Sequence, residues 1–330
     1  MSERSALCRA ARRPTPIRPN PSVHHLVECV PNFSEGRRPD VVAALRDAIG
    51  ATPGTHVLDA SADRSHHRSV ITFVADPAHA ADAAFAAVAA ARAAIDLRTH
   101  TGVHPRIGAA DVVPFVPLPE HGTTMADCAA LAHALGTRVA RELAIPVYYY
   151  ERAALRPGRA NLADVRRGGF ERLAAEIATS PERAPDAGTA RVHPTAGAVA
   201  IGARPLLVAF NVYLGPAANL PIAKAVARAV RESSGGLPGV KALGLAVDDQ
   251  AQVSMNLVDL DRTTLADAFA RVEAEAAARG VAVTWSELIG LLPERALAGT
   301  TPDRLRLRDF DERRILERRL ARLGARVTNA

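Results

Sequence analysis

Two rhythms alternate along the chain. Short runs of β-branched and aromatic residues bounded by Gly, Pro or Asp predict strands, and longer stretches with apolar residues three and four apart predict helices. Residues 26–30 (LVECV) form a short strand that runs into a Pro- and Gly-punctuated loop, PNFSEGRRPD. A helix begins at Asp40 and stops at Gly50 and Pro53–Gly54. Strands at 57–61 and 68–76 flank the polar turn ADRSHH. A helix from Pro77 through Ala94, a strand at 111–116, a helix at 125–143 and a strand at 145–150 (IPVYYY) follow. Residues 151–196, rich in Pro and Gly, read as an irregular linker with short helices at 161–167 and 170–178.

Beyond the linker the order recurs. A strand at 205–214, a helix at 220–233, strands at 240–247 and 251–260 joined through DDQ as a hairpin, a helix at 264–279 and a strand at 281–285 spell β-α-β-β-α-β. The first half has the same order with one extra helix–strand pair. The expected class is α/β (α+β), as two tandem ferredoxin-like βαββαβ subdomains. The expected division is a disordered tail at 1–25, subdomains at 26–180 and 181–303, and a basic C-terminal helix at 304–330. Within that last region, residues 309–323 form an amphipathic helix. It is expected to pack on the second subdomain with its Arg face in water.

Charge and composition narrow the function. The formal net charge is +6 over 330 residues, but the excess of Arg sits at the two ends and the body between them is slightly acidic. Nucleic-acid binding by the body is therefore disfavoured. No apolar run approaches the roughly 20 residues needed to span a bilayer, and the N-terminus lacks the apolar centre of a signal peptide. Cys8, Cys29 and Cys128 have neither disulfide-framework nor zinc-ligand spacing, which suits free thiols in a cytoplasmic protein.

Candidate chemistry concentrates in residues 99–117, THTGVHPRIGAADVVPFVP, with His100, His104, Arg106 and Asp111 in one short loop. Pro105 biases His104 toward extended backbone. Residue chemistry leaves two readings open: a catalytic loop, or a surface loop whose His and Arg are solvated. In the first, His104 is a general base and acid, Asp59 or Asp111 orients its ring, and Arg68 and Arg106 hold substrate carboxylates. The alternative for the two acids is a cap or turn, and for the arginines surface ion pairs. A metal held by His66–His67 or His100 and His104 is disfavoured, because Gly102 and Pro105 prevent the helix their spacing would need.

Seven strings in order carry a resemblance: LVECVPNFSEGR, HRSVITFV, TGVHPRIGAADVVPFVP, PDAGTARVHPTAGAVAIGARPLLVAFNVYL, VKALGL, AQVSMNLVD and SELIGLLP. Together they resemble the glutamate formimidoyltransferases, in the stand-alone bacterial form and in the N-terminal part of formimidoyltransferase-cyclodeaminase. The resemblance implies transfer of a formimidoyl group from N-formimidoyl-L-glutamate to tetrahydrofolate in histidine breakdown. It also implies a homodimer, no metal, and folate in a groove between two subdomains. It places the catalytic histidine at His104. It places folate binding on Gly188, Thr189, Ala190, Arg191, Val192, His193, Pro194, Thr195, Ala196 and Gly197, and Asn32, Arg68, Arg106, Asp59 and Asp111 are further candidate contacts. This chain departs from the family at Val103, where Glu is common, at His67, where Asn is usual, and at Asn211-Val212-Tyr213, where N-x-N is frequent. The competing functions are a folate one-carbon transferase that uses 5-formyltetrahydrofolate with glutamate, and a folate-binding protein without turnover.

Overall fold

The computed structural model describes residues 25–327. The expected disordered tail lies outside them apart from His25. Two sheets organise the chain. In the first, β1 (Val27–Cys29) and β2 (Asn32–Phe33) are two pieces of one central strand, both seated between β4 (Arg68–Ala75) and β5 (Ala110–Pro117). The break between them contains Pro31, which has no amide hydrogen for a ladder. β3 (Thr55–Asp63) pairs with the outer side of β4 as an antiparallel hairpin. On the other side, β7 (Val199–Ala203) runs parallel to β5, and β6 (Val147–Glu151) runs parallel to β7.

Three helices, α1 (Pro39–Gly50), α2 (Pro77–Ala94) and α3 (Met125–Leu143), cover one face of this sheet. Ala80, Ala83, Ala84, Ala87 and Ala91 of α2 are fully buried, and their small side chains let α2 lie close between its neighbours. The opposite face is covered in two places. Short helices α4 (Leu162–Val165) and α5 (Gly169–Glu176) lie over Val112, Tyr148, Tyr150 and Ala200. At the other end Leu316 and Leu320 of the last helix pack on Leu26, Leu58, Val74 and Leu118.

The second sheet is antiparallel throughout, in the order β11 (Trp285–Ile289), β8 (Val208–Pro216), β10 (Gln250–Leu257), β9 (Val240–Val247). α6 (Leu220–Val230) and α7 (Leu265–Ala277) bury one side of it over Phe210, Val212, Val253 and Met255. Asp248 and Asp249 turn the β9–β10 hairpin with φ of 46° and 59°, the left-handed pair that a two-residue hairpin loop requires.

Three expectations change. The first sheet runs to Ala203, because β7 is inserted between β5 and β6, so the boundary expected at 180/181 falls inside it. All five β7 residues are buried, so VAIGA has no polar alternation to reveal it. The last strand is Trp285–Ile289 rather than 281–285, since Trp285 to Ile289 are the residues that pair with Tyr213 to Ala209. The C-terminal helix, α8 (Leu316–Val327), packs its leucines on the first sheet, whereas it was expected on the second unit. Arg314, just before it, donates to the carbonyls of Leu288 and Gly290. The tail therefore straps the two units together.

Glu28 of β1 lies on the strapped face, 4% exposed. Burial pushes its carboxyl up from 4.5 to about 7, against the pull of Arg204 and with a smaller push from Glu317 of α8. Because the folded pKa is the higher one, the stability it contributes is full below pH 4.5 and is lost as pH rises through 7. Glu28→Gln removes this dependence. The variant should gain up to about 3 kcal/mol over the parent at pH 8 and nothing at pH 4, as read by thermal melts at both pH values.

Candidate active site

His104 sits in the loop between α2 and β5, half-buried, with its ring against Arg68. Its Nδ1 donates to the carbonyl of Pro105 at 2.8 Å. An oxygen acceptor fixes the proton on Nδ1, so the lone pair is on Nε2. Nη1 of Arg68 lies against the ring nitrogens, and a guanidinium can donate only to the unprotonated one. Burial first, then the charges of Arg68 and Arg166, hold the His104 pKa well below the usual histidine range. The imidazole is thus neutral at physiological pH.

Arg68 projects from the start of β4. Its Nε donates to Oδ1 of Asn32 at 3.0 Å, and Nη2 bonds the same oxygen. Asn32 is itself held by a 2.7 Å bond from its Nδ2 to the Val30 carbonyl. Burial pushes the Arg68 guanidinium down to about 9, helped by Arg166 and opposed by Asp111.

The two acids expected to orient His104 do other work. Asp111 accepts the Ile107 amide at 2.8 Å and pairs with Arg166, which ties down the backbone that follows the histidine. Asp59 is on β3 with Arg314 and Arg319 as its charged neighbours; burial raises its carboxyl despite them. Arg106 pairs with Glu171 at 2.8 Å and donates to the His100 carbonyl at 3.1 Å. A substrate carboxylate therefore has to displace Glu171 to use it.

The histidines weighed above as metal ligands are engaged otherwise, two of them by Asp63 and Glu35, which were not singled out. The His66 ring lies 6.1 Å from that of His104, and its Nδ1 meets Asp63 at 2.9 Å. His67 and His100 stack at 4.2 Å, and His67 Nε2 is 3.2 Å from Glu35. Burial alone would raise the Glu35 carboxyl, but the Arg37 and Arg38 amides and the Arg38 side chain outweigh it and hold it low. A small hollow bordered by Ser34, His66, Arg68, His100 and His104 adjoins a cavity of about 260 Å³. Arg37, Arg38 and Thr99 line the cavity, and His67 and His100 form the wall between the two.

The 188–197 stretch is divided. Gly197, at φ 69°, presses on the Ile107 carbonyl, where a Cβ would stand 2.2 Å away. It bridges to Gly108, and Ala196 accepts the Ala109 amide. Val192 packs with Ile107, Tyr148 and Tyr150. His193 Nε2 accepts from Arg92 at 3.1 Å. These residues support the backbone just after His104, with Pro194 exposed on the turn. Thr189, Ala190 and Arg191 are exposed, and Gly188 lies beside Ile145 and Pro146 at the start of β6.

Among the described residues no three His, Cys, Asp or Glu side chains are grouped to hold a metal ion, and no helix is long and apolar enough to cross a membrane.

Comparison with known proteins accounts for nearly the whole described chain. Residues 26–204 match the family described as the formiminotransferase domain, N-terminal subdomain, and residues 209–324 match the formiminotransferase domain. The seam falls after β7, where the first sheet ends. A glutamate formimidoyltransferase of Thermoplasma acidophilum is 47% identical over 89% of this chain and 97% of its own length. One of Streptococcus pyogenes serotype M1 is 43% identical over 89% and 98%. The formimidoyltransferase-cyclodeaminase of Rattus norvegicus is 40% identical over 82% of this chain and 51% of its own length. With both subdomain models matched in order, and two relatives this similar across nearly their full length, the chain belongs to the formiminotransferase family.

Proposed function

We propose that this protein transfers the formimidoyl group of N-formimidoyl-L-glutamate to tetrahydrofolate, giving 5-formimidoyltetrahydrofolate and L-glutamate. The observation that carries the reading is His104: a half-buried imidazole held neutral by its surroundings, bordering the hollow that Arg68 and Arg106 also line. Tetrahydrofolate is a co-substrate here, and no metal is needed. The reading includes the homodimer that the family resemblance implies and the cytoplasmic location that the scattered cysteines suit.

The chemistry suits the site. The donor is an amidine, which is cationic and electrophilic at neutral pH. N5 of tetrahydrofolate attacks its carbon, forming the N5–C bond. The N5 proton passes to Nε2 of His104. The tetrahedral carbon then expels the glutamate nitrogen, which takes that same proton. One imidazole serves as base and then as acid, and the proton count closes. In the free protein Arg68 occupies Nε2, so a substrate carboxylate must draw the guanidinium aside before the base is available. Asn32 is a positioning residue in this account, because it holds the other edge of Arg68.

His104→Ala should lower kcat about 10²–10⁴-fold while folate affinity changes little, measured by steady-state kinetics and a direct titration with 5-formyltetrahydrofolate. Near-normal kcat would exclude the assignment. Replacing formimidoylglutamate by 5-formyltetrahydrofolate plus glutamate in the same assay separates the competing transferase.

The base must be unprotonated to act, so the acid limb of kcat/KM should lie below the ordinary histidine value of 6.5. Removing the Arg68 charge by Arg68→Gln should raise the His104 pKa and move the limb upward. A limb that stays in place would separate Arg68 from His104. Arg106→Ala should raise KM for the carboxylate substrates more than it lowers kcat.

A further inference from the structure

The face of the second sheet turned away from its helices carries a buried polar group outside the His104 cluster. Val208, Phe210, Val212 and Leu214 of β8 point into the helix-covered core, so Asn211 and Tyr213 point the other way. Register brings Glu287 opposite Asn211, and Gln252 opposite Tyr213. That face is held against the first unit from three sides. Asp248 of the β9–β10 turn meets Ser65, Lys241 of β9 meets Glu151 at 3.1 Å, and Gly290, just past β11, lies beside Thr72. Asp63, which pairs with His66, is a charged neighbour of Tyr213. The polar face is thus linked to His104 through Asp63 and through His66, whose ring lies 6.1 Å from that of His104.

Within the group all the donors converge on one atom. Oε1 of Glu287 accepts from Tyr213 at 2.9 Å, Asn211 at 3.0 Å and Gln252 at 3.4 Å. Oε2 accepts no hydrogen bond among the described residues. Gln252 is 0% exposed, and since its amide nitrogen is committed to the carboxylate, its Oε1 is left buried without a partner. A buried acceptor left unmet is costly, and folded proteins rarely leave one without a reason. The result is two preoriented acceptors with no donor between them. Alongside, Tyr213 stacks on Trp285 at 3.7 Å, and Arg308 caps the Trp285 ring at 3.7 Å. The stack holds the wall of the group flat and rigid.

We propose that Glu287 and Gln252 bind the pterin of the folate by the edge that carries its ring N–H and exocyclic amino group. That edge is a planar pair of N–H donors, the complement of a carboxylate oxygen and an amide oxygen side by side. The site next to His104 is lined by arginines and suits carboxylates, whereas this face has no cation among its four hydrogen-bonded members and suits a donor-rich ring. The inference rests on the folate reading above and assigns which end of the folate the second unit holds.

The test compares binding of tetrahydrofolate with binding of its 2-desamino-2-methyl analogue, which lacks the exocyclic donors. Wild-type protein should prefer tetrahydrofolate by about 10–100-fold. Glu287→Gln and Gln252→Met should each weaken tetrahydrofolate toward the analogue, shrinking the ratio toward one, while KM for formimidoylglutamate stays within about twofold. A merely structural role would weaken both ligands together and keep the ratio. A wild-type ratio near one overturns the proposal whatever the variants do. An unchanged ratio in both variants overturns it as well, and so does a rise in KM for formimidoylglutamate instead, which would assign the acceptors to the donor's amidine. If wild type binds no tetrahydrofolate at all, it is the folate reading that falls.

Discussion

A guanidinium pressed against an imidazole inside the protein is the contact on which the site depends. Burial lowers the proton affinity of both groups, and the Arg68 charge lowers that of His104 further. Such a pair needs an anchor, and the first sheet supplies it. Asn32 lies across from Val70, two residues beyond Arg68 on the same face of β4, and so reaches the guanidinium. The two-residue β2 and the break at Pro31 make sense in this light, because the interruption leaves the Val30 carbonyl free to hold the Asn32 amide. The odd central strand of the fold is thus the support of the Arg68–His104 contact.

Much of this architecture was legible in the chain. Helices α1, α2, α3, α6 and α7 announce themselves through Pro or Thr starts and Gly or polar stops, and the DDQ hairpin through its turn chemistry. What escaped was structure made by tertiary pairing. β7 is small, apolar and buried on both sides, and it follows a segment full of Gly and Pro. Its place between β5 and β6 is decided by the parallel ladders alone. β11 is displaced because VAVT is as strand-like as the residues that actually find β8. The tail helix shows its leucine stripe plainly, but a stripe does not say which sheet it will meet.

The site divides in the same way. His104 could be read because Gly, Pro, His and Arg crowd one short loop. Arg68 could be read as a carboxylate clamp because it opens a strand after a polar turn, but its contact with the His104 ring could not. The Asp63–His66 pair and Arg166 could not, since Arg166 comes from a stretch that looks like linker and is brought over the sheet by α4. Asp111 and Asp59 were sound candidates by residue type, yet the first serves backbone and Arg166, and the second faces the tail. Tyr213, where the family often has Asn, turns out to supply a hydroxyl donor to Glu287, so the departure preserves hydrogen bonding while adding a ring to stack on Trp285.

The near absence of lysine from the chain acquires a meaning at Arg68. A guanidinium begins so high on the proton-affinity scale that burial can bring it down to about 9 and still leave it cationic in the cell. An ammonium group starts about two units lower, and the same desolvation would discharge it near neutrality. The bound on the site is therefore one-sided: it lies on the acid side, where the histidine takes up a proton, while the guanidinium keeps its charge throughout.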